Sequence, residues 1–383
     1  MKILIIAFSI GKSAAGVVAE ELFTELINQN PDVHIICNEN FSKKISSDKV
    51  SQLGLKNIHH NRFDKLLLIC THFEINGWKW VSKGLSVFKK IHDNFKPDVV
   101  LCFTSAYGFR VLDLGYKIAK IYNIPLAIHS VDPNPSSSGW GENYLLRKAI
   151  VSIVKPYYQY AKFISATNEQ MLSYQLEILS IKNNKNTKVI FNPARKPLTV
   201  KSNLSEKNTF LYLGTLYEKR NPQLIIDAFL EFNKINNGSK FLFVGENKCK
   251  SLFIPQELSM NIIFNEWTSN PEIFINKSSV LVDIDANIPN DVFISSKLSQ
   301  YLMYDKPILC ITPIGSPSRE LTKSLTQTVF CVNHNKEEIL KGMQFLTNKI
   351  YDNNMFLERE SIREKFSVKN ITKNILEELY SIL

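Results

Sequence analysis

Two short basic segments have the residue types that bind phosphate. In "GTLYEKRNPQ", Lys219 and Arg220 stand just before Pro222, a residue that favours the first turn of a helix. In "ISSKLSQY", Ser295 is a good N-cap and Lys297 follows it at the start of another helix. Free N–H groups at a helix N-terminus attract anions, and a neighbouring cation strengthens that attraction. Each segment alone is compatible with a solvated turn, but together they predict a diphosphate site.

A third segment, "FSIGKSAAG", lies between the first apolar run and the first helix. Its Gly11-Lys12-Ser13 is similar to the end of the phosphate loop of nucleotide hydrolases, but that loop needs another glycine five residues earlier. The residue there is Ile6, whose side chain does not allow the backbone to curl around phosphates. We therefore expect the first strand–turn–helix unit of an α/β domain rather than a nucleotide hydrolase.

Short apolar runs alternate with amphipathic helical patterns along the whole chain. Continuous apolar strands separated by such helices indicate parallel sheets covered on both faces. The predicted helices are 14–29, 222–235, 296–304, 336–347 and the closing segment "VKNITKNILEELYSIL". The predicted strands are 2–8, 33–37, 65–70, 98–103, 124–129, 162–166, 187–191, 209–213, 240–244, 260–264, 279–284, 307–311 and 327–331.

The polar stretch before residue 209 interrupts this alternation and predicts a linker. We expect an α/β protein with two doubly wound, Rossmann-like parallel-sheet domains at 1–195 and 209–365, joined by a linker at 196–208. Residues 366–383 would form a closing helix. Ligands of such folds bind at the carboxyl ends of the strands, so the ligand is expected in a cleft between the domains.

Composition limits the class of protein further. The chain of 383 residues is 44% hydrophobic and 21% charged, as is typical of a soluble globular protein with two cores. Its net charge of +10 predicts an acidic partner: nucleic acid, an anionic membrane surface or a phosphorylated ligand. No nucleic-acid-binding module is recognisable, so nucleic acid is not expected. Neither a membrane span nor a signal peptide is predicted, which favours a cytoplasmic location.

The cysteines have no spacing typical of disulfide or metal frameworks. Five of the six end strand-like runs, which favours reduced, buried thiols in a cytosolic protein over metal ligation. These five are Cys37, Cys70, Cys102, Cys310 and Cys331.

The two basic segments resemble the nucleotide-sugar-binding half of GT-B glycosyltransferases, especially the retaining family four. That family shows Gly-Arg-Leu and then Glu-Lys-Gly ahead of a helix. When the two patterns are aligned at Gly214, the arginine of the family corresponds to Thr215 and its lysine corresponds to Arg220. Its second signature ends in a glutamate that falls on Gln300, and a variant of that signature matches Ser-Lys-Leu at 296–298.

The resemblance covers nearly the whole chain. "FVGEN" is similar to a conserved turn of the family and "IIFNEWTS" to its nucleobase-contacting segment, while the loop with Gly11 takes the place of the glycine loop that faces the donor phosphates. The closing helix is of the kind that packs back on the first domain. The implied donor-binding residues are Gly11, Gly214, Thr215, Lys219, Arg220, Glu246, Trp267, Ile294, Ser295, Ser296, Lys297, Leu298 and Gln300.

The resemblance implies a glycosyltransferase that moves a sugar from a nucleoside-diphosphate donor of UDP or GDP type to a hydroxyl acceptor. It implies retention of configuration and no metal or other cofactor, with His129, Arg220 and Lys297 as catalytic residues. The implied acceptor is a growing, lipid-linked polysaccharide or lipopolysaccharide. Two alternatives stay open: a nucleotide-sugar epimerase of the same fold, and an inactive partner subunit, because Thr215 and Gln300 lack the charges of the family residues.

Four residues of the first domain are further candidates. His129 ends the strand "IPLAIHS", and the resemblance makes it the histidine that contacts the transferred sugar; a buried structural histidine is the alternative. Asp132, in a segment that also suits a simple turn, is expected to bind acceptor hydroxyls. Glu142 and Arg147 lie in a Gly- and Ser-rich segment, which predicts either acceptor recognition or a mobile connector.

The segment "NGWKWVSKGLSVFKK" interleaves aromatic and basic residues, and "RKAIVSIVKPYYQYAK" is similar. Such segments suit peripheral contact with an anionic membrane, here at its inner face. The alternative is an ordinary amphipathic helix that packs its aromatic residues inward. The residues concerned in the first segment are Trp78, Trp80, Leu85 and Phe88 with Lys79, Lys83, Lys89 and Lys90.

Overall fold

The structure is a computed structural model that describes residues 1–56, 62–105, 108–141, 143–182, 186–195, 208–349 and 357–383. Its strands are β1 (Ile3–Ala7), β2 (Ser9–Ile10), β3 (Val33–Cys37), β4 (Glu39–Asn40), β5 (Val50–Gln52), β6 (Val99–Thr104), β7 (Leu126–Ser130), β8 (Phe163–Ala166), β9 (Asn186–Val189), β10 (Thr209–Leu213), β11 (Lys240–Val244), β12 (Ile262–Asn265), β13 (Val280–Ile284), β14 (Ile308–Ile311) and β15 (Val329–Val332). Its α-helices are α1 (Ala14–Gln29), α2 (Arg62–Thr71), α3 (Ile75–His92), α4 (Phe109–Tyr122), α5 (Tyr144–Tyr160), α6 (Glu169–Ile178), α7 (Gln223–Ile235), α8 (Glu272–Lys277), α9 (Ser296–Tyr301), α10 (Pro317–Thr322), α11 (Lys336–Asn348), α12 (Glu360–Lys365) and α13 (Val368–Ser381).

The chain divides into two compact units. The first contains Met1–Pro193 and Phe366–Leu383, and the second contains Ala194–Lys365. Their sheets have the strand orders β5-β3-β1-β6-β7-β8-β9 and β12-β11-β10-β13-β14-β15, and every strand pair is parallel. In each sheet the chain begins at an inner strand and winds first to one side and then to the other. The predicted fold class, two doubly wound Rossmann-like α/β halves, is confirmed.

The alternation of strands and amphipathic helices explains both cores. All five residues of β1 are buried, because helices cover both faces of a parallel sheet. In α1 the side chains of Val18, Leu22 and Leu26 recur every four residues and pack on this sheet. The core of the second unit is rich in aromatic residues, and Phe210 contacts the rings of Phe229, Phe232 and Phe241.

The last helix returns to the first unit after the second unit is complete. Ile371, Ile375 and Leu379 recur along one face of α13 and are buried in the core that also contains α1. At its polar edge Glu378 accepts an ion-paired hydrogen bond of 2.8 Å from Lys188. The chain therefore crosses between the units twice.

The predicted strand at 65–70 is wrong, because this segment lies in helix α2. Its apolar run is only five residues long, and a run of that length does not distinguish a buried strand from one face of a helix. Cys70 is consequently exposed rather than buried, whereas Cys37, Cys102 and Cys310 are buried as expected. Helix α9 ends at Tyr301, three residues before its predicted end.

The aromatic residues of α3 divide between the interior and the surface. Trp80 and Phe88 are fully buried, as expected of an amphipathic helix, while Trp78 is 56% exposed. Within the described ranges, no helix combines the length and the apolar character that crossing a bilayer requires.

Candidate functional site

The second sheet has a topological switch point between β10 and β13. The chain starts at β10, continues outward through β11 and β12, and then returns to place β13 on the other side of β10. Connections leave the carboxyl ends of these two neighbouring strands in opposite directions, which opens a crevice where doubly wound folds bind ligands. The residues that follow β10 and β13 are therefore the first candidates for a site.

Two glycines let the backbone approach closely at this point. Gly214 follows β10 with φ +133°, and a Cβ atom there would lie 2.3 Å from Cε of Lys297. Gly245 follows β11 with φ +137°, and its Cβ would lie 2.5 Å from the carbonyl oxygen of Gly214. Any larger residue at 214 would therefore occupy the space in which the Lys297 side chain lies.

Lys297 is held over the end of β10 by the start of α9. Ser295 caps this helix by accepting a 3.3 Å hydrogen bond from the Lys297 N–H, and the ammonium lies 5.5 Å from the centre of the Tyr212 ring. Burial and the charge of Arg220 lower the pKa of Lys297 to about 8. The negative charges of Asp283 and Asp285 oppose this shift. Because α9 has only six residues, the positive charge here comes from Lys297 rather than from a helix dipole.

Arg220 reaches the same place from the other side of the switch point. It ends the short 3-10 turn Glu218–Arg220 that leads into α7, with its guanidinium carbon 5.5 Å from the centre of the Tyr217 ring. Burial opposes its charge, but Tyr217, Tyr212 and two carboxylates together hold its pKa above the ordinary value. Its buried Nε has no hydrogen-bond partner within the described part of the chain. The structure thus brings the two predicted basic segments together.

Two aspartates balance the charges of these cations: Asp283 in β13 and Asp285 just after that strand. The sequence analysis did not predict either of them as a site residue. Asp283 is fully buried; its Oδ1 accepts a 2.9 Å hydrogen bond from the Ser295 hydroxyl, while its Oδ2 has no partner among the described residues. Asp285 Oδ2 accepts hydrogen bonds from Thr312 and Ser318 at 2.6 and 2.7 Å. The available signal was the pair of acidic residues in "VLVDIDA", which is unusual in a fully buried strand.

These aspartates do not form a convincing metal site. The ligating atoms of Asp283, Asp285 and Cys310 lie within 4.8 Å of one another, which is close enough to surround an ion. However, Arg220 and Lys297 already compensate the charges of both carboxylates, and Asp285 Oδ2 accepts hydrogen bonds from two hydroxyl groups. We therefore interpret the carboxylates as counter-ions of Arg220 and Lys297.

The other predicted donor residues lie at several places around the second unit. Leu298 is fully buried, and its predicted donor contact stays a prediction. Trp267 follows β12 and is 76% exposed, and the exposed Glu246 forms an ion pair of 3.0 Å with Lys248. Thr215 and Ile294 are half-buried, and Ser296 and Lys219 are exposed.

Gln300 uses its amide to hold a backbone segment. Its Oε1 accepts a 2.9 Å hydrogen bond from the Arg195 N–H, and its Nε2 donates to the Arg195 carbonyl at 3.1 Å. Nε2 is also 3.4 Å from the Tyr304 hydroxyl. The predicted contact of Gln300 with a ribose stays a prediction, because this amide already has partners.

In the first unit, Gly11 lies against another segment of the protein's own backbone. It has φ +89°, and a Cβ there would lie 3.1 Å from the backbone nitrogen of Ser42. Ser13 caps α1 by accepting a 3.0 Å hydrogen bond from the Gly16 N–H. The close backbone approach that was expected for Gly11 exists, but the described neighbour is the segment at Phe41 and Ser42.

His129 lies inside the first unit. It is 1% exposed, its Nδ1 is 2.9 Å from the Ser165 hydroxyl, and its ring is 5.5 Å from that of Phe103. Burial lowers its pKa to about 4, so the imidazole is neutral at physiological pH. This placement matches the structural-histidine alternative, and we leave His129 out of the candidate site.

The predicted acceptor residues are only partly described. Glu142 lies outside the described residues. Arg147 is not in a loop, because helix α5 begins at Tyr144; its guanidinium donates a 2.6 Å hydrogen bond to the Tyr174 hydroxyl and lies over that ring. Asp132 is half-buried in the segment after β7. Arg147 therefore has a local partner, and the acceptor role of all three residues stays a prediction.

Comparison with known proteins identifies the fold. No protein-family model matches the chain, and no curated protein sequence matches it. Among solved structures, the chain is similar to the apo form of the lipopolysaccharide outer core galactosyltransferase WaaB, with a TM-score of 0.64 and 14% identity over 100% of both chains. It is also similar to WaaG, described as a glycosyltransferase involved in lipopolysaccharide biosynthesis, with a TM-score of 0.64 and 9% identity over 98% of this chain and 99% of that one.

A third similar structure has a different activity in its description. The UDP-GlcNAc 2-epimerase from Methanocaldococcus jannaschii has a TM-score of 0.58 and 16% identity over 100% of both chains. At these identities the likeness is one of fold. The chain therefore has the GT-B fold, with its two Rossmann-like halves.

The geometry at Gly214 predicts a specific loss of stability. Gly214→Ala and Gly238→Ala both place a side chain at positive φ, which costs roughly 1–3 kcal/mol, but only the first meets other atoms within 4 Å. We expect Gly214→Ala to lower the free energy of unfolding more than Gly238→Ala, because the end of the Lys297 side chain must also move aside. Urea unfolding measures both variants, and equal losses would contradict the close packing described here.

Proposed function

We propose that this protein is a glycosyltransferase that moves a sugar from a nucleoside-diphosphate donor to a hydroxyl acceptor. The observation that carries the proposal is the convergence of Arg220 and Lys297 at the switch point of the second sheet. The GT-B fold agrees with this activity, because the similar structures include the glycosyltransferases WaaB and WaaG. We further propose that the enzyme belongs with the retaining family four and transfers a hexose or an N-acetylhexosamine.

Arg220 and Lys297 would act on the leaving group. When the glycosidic bond to the donor breaks, negative charge grows on the departing diphosphate, and fixed cations in a partly buried site stabilise that charge strongly. Arg220 supplies a planar guanidinium, and its buried Nε–H has no hydrogen-bond partner among the described residues. Lys297 supplies a compact ammonium. We propose that the leaving diphosphate itself assists the acceptor hydroxyl, so that transfer proceeds with retention and without a metal.

The surrounding residues would hold the rest of the donor. Thr215, Lys219 and Ser296 lie on the two segments that carry the cations and would bind the phosphates. Trp267 and Glu246 follow β12 and β11, and the exposed indole of Trp267 is available to stack on a UDP or GDP base.

Two alternatives have support of their own. The similarity to the UDP-GlcNAc 2-epimerase favours an enzyme that converts a nucleotide sugar without any acceptor. An inactive partner subunit is favoured by Thr215 and Gln300, which replace charged residues of the family pattern. Both alternatives would bind a nucleotide sugar, so only turnover separates them from the proposed transferase.

A binding panel followed by a turnover assay tests the proposal. We expect one class among the sugar conjugates of UDP, GDP, dTDP and CMP to raise the unfolding temperature, because a ligand at 100 times its Kd adds about 2.7 kcal/mol of stability. With that donor, the transferase should release nucleoside diphosphate only as glycosylated acceptor or slow hydrolysis product appears. Interconversion of the donor alone would establish the epimerase, binding without turnover the inactive subunit, and the absence of any binding would overturn the proposal.

The role of Arg220 can be tested by one substitution. We expect Arg220→Ala to lower kcat at least a hundredfold, since a cation on a developing anion contributes about 3 kcal/mol to the transition state. Lys323→Ala removes an exposed cation just after α10 in the same unit and should leave kcat unchanged. Turnover of the Arg220 variant within a factor of a few of wild type would remove Arg220 from the mechanism.

The acceptor is proposed to be a glycan carried on a lipid at the cytoplasmic face of a membrane. In the first unit, α2 and the start of α3 expose large apolar side chains that no described element covers, alongside basic residues of the same helices. Apolar side chains flanked by cations are the features of a helix that lies in an anionic membrane surface. The exposed apolar residues are Phe63, Leu66, Phe73 and Trp78, and the basic ones are Arg62, Lys65 and Lys79.

Vesicle binding tests this surface. We expect sedimentation with vesicles that contain phosphatidylglycerol but not with pure phosphatidylcholine vesicles. Changing Phe73 and Trp78 together to Ser should weaken the partition at least tenfold, because each exposed aromatic contributes about 1.5–3 kcal/mol when it is buried. Phe253→Ser, which removes a similarly exposed aromatic from the second unit, is the matched control. Equal binding by the double variant and the control would contradict the proposed surface.

A further inference from the structure

Asp283 is a buried carboxylate with one unused oxygen. It is the next-to-last residue of β13 and is 0% exposed, and its Oδ1 accepts the hydrogen bond from Ser295. Its Oδ2 is buried too and has no partner in the described part of the protein. Burying a charged oxygen without a partner is costly, so this carboxylate is placed where a proton on Oδ2 is readily accommodated.

The groups around Asp283 are close to electrical balance before any ligand binds. Two cations and two carboxylates share this region, so the entry of a diphosphate adds uncompensated negative charge beside a buried carboxylate. Like charges at short range in a medium of low dielectric disfavour each other's ionised forms. The charged and titratable groups that face Asp283 are Asp285 just after the same strand, Lys297 and Tyr301 on α9, Arg220 on the turn before α7, Tyr212 on β10 and Cys310 on β14.

The two carboxylates differ in the hydrogen bonds that they accept. Asp285 Oδ2 is occupied, because it accepts hydrogen bonds from the hydroxyls of Thr312 and Ser318. Asp283 receives one hydroxyl hydrogen bond on Oδ1 and keeps Oδ2 open. Consistent with this geometry, burial and the neighbouring Asp285 raise the pKa of Asp283 to about 6, against the opposing effects of Lys297 and Arg220.

We propose that Asp283 is a positioning residue that couples binding of the donor diphosphate to the uptake of one proton on its Oδ2. In the free protein the ionised carboxylate holds Ser295 and the cations of Lys297 and Arg220 in place. When the diphosphate binds, Asp283 takes up a proton from solvent. Lys297 and Arg220 then pair with the phosphates instead of with Asp283. This inference rests on the proposed function of the site, and it names the group that regulates that site.

The direction of the pH dependence follows from the two shifted groups. A neighbouring diphosphate raises the pKa of Asp283 further above 6, so affinity falls as pH rises above about 6. Diphosphate also raises the pKa of Lys297 above its value of about 8 in the free protein, so affinity falls again as pH rises above about 8. We expect Asp283→Asn to remove the lower inflection, and Lys297→Arg to remove the upper one, because arginine stays charged.

Calorimetric titration of the full chain tests the coupling directly. The probes are UDP-glucose, UDP-N-acetylglucosamine, GDP-mannose and dTDP-glucose, whose diphosphates stay ionised throughout this pH range. In two buffers of different ionisation enthalpy at pH 7, the wild type should take up a substantial fraction of a proton on binding. Asp283→Asn should lose most of this uptake and bind at least threefold more tightly at pH 7.5, because a neutral amide does not repel the diphosphate.

Two controls separate this role from a structural one. Asp285→Asn changes a second buried acid of the same region, and it should retain the proton uptake even where it lowers stability. Without any ligand, the stability of the wild type should fall as pH rises from about 4 to about 6, because the folded-state pKa of Asp283 lies above the ordinary value. Asp283→Asn should lack this fall, and that result also shows that the variant is folded.

The outcomes are distinguishable. Unchanged proton uptake in Asp283→Asn, or its loss in Asp285→Asn instead, overturns the inference and leaves the proposed function intact. Failure of the wild type to bind any of the four nucleotide sugars at pH 6 overturns the proposed function and this inference together. Loss of uptake in Asp283→Asn alone, with the Lys297→Arg change confined to the upper inflection, supports the inference.

Discussion

The charge balance at the end of β10 is the constraint on which the candidate site depends. An ion taken from water into a protein interior costs several kcal/mol unless other charges and hydrogen bonds compensate for it. Arg220 and Lys297 approach each other there, so their charges repel as well as lose solvation. The carboxylates of Asp283 and Asp285 make this arrangement tolerable. The proposed anion site is therefore stabilised by internal counter-ions.

The fold supplies the space that this balance needs. Because β10 begins the second unit and β13 returns beside it, two loops leave their neighbouring ends in opposite directions. Gly214 and Gly245 remove the side chains that would otherwise stand between them, and Lys297 occupies the room above Gly214. Ser295 links the start of α9 to Asp283, because its hydroxyl donates to that carboxylate and accepts from the Lys297 N–H.

The fold could be predicted where apolar residues recur with a clear period. Features that depend on contacts between residues distant in sequence could not be predicted. The parallel-sheet architecture follows from buried runs such as that of β1, whose five residues are all apolar. The run at 65–70 was misjudged because it is too short for its periodicity to separate a strand from α2. His129 was expected to line a cleft because it ends a strand, and its contacts with Ser165 and Phe103 could not be predicted because both are distant in sequence. Asp283 was missed because its importance appears only when Arg220 and Lys297 are seen beside it.

Gln300 shows how a departure from a family pattern can have a local cause. An amide both accepts a hydrogen bond and donates one, so Gln300 satisfies the N–H and the carbonyl of Arg195 together. A glutamate at this position would accept the first bond but present a second acceptor to the carbonyl oxygen, leaving that oxygen unsatisfied. The neutral side chain also avoids adding charge near Tyr304, whose hydroxyl is 3.5 Å from Glu272. The amide thus fixes the segment by which the chain enters the second unit, and the proposed anion site relies on Arg220 and Lys297 for its charge instead.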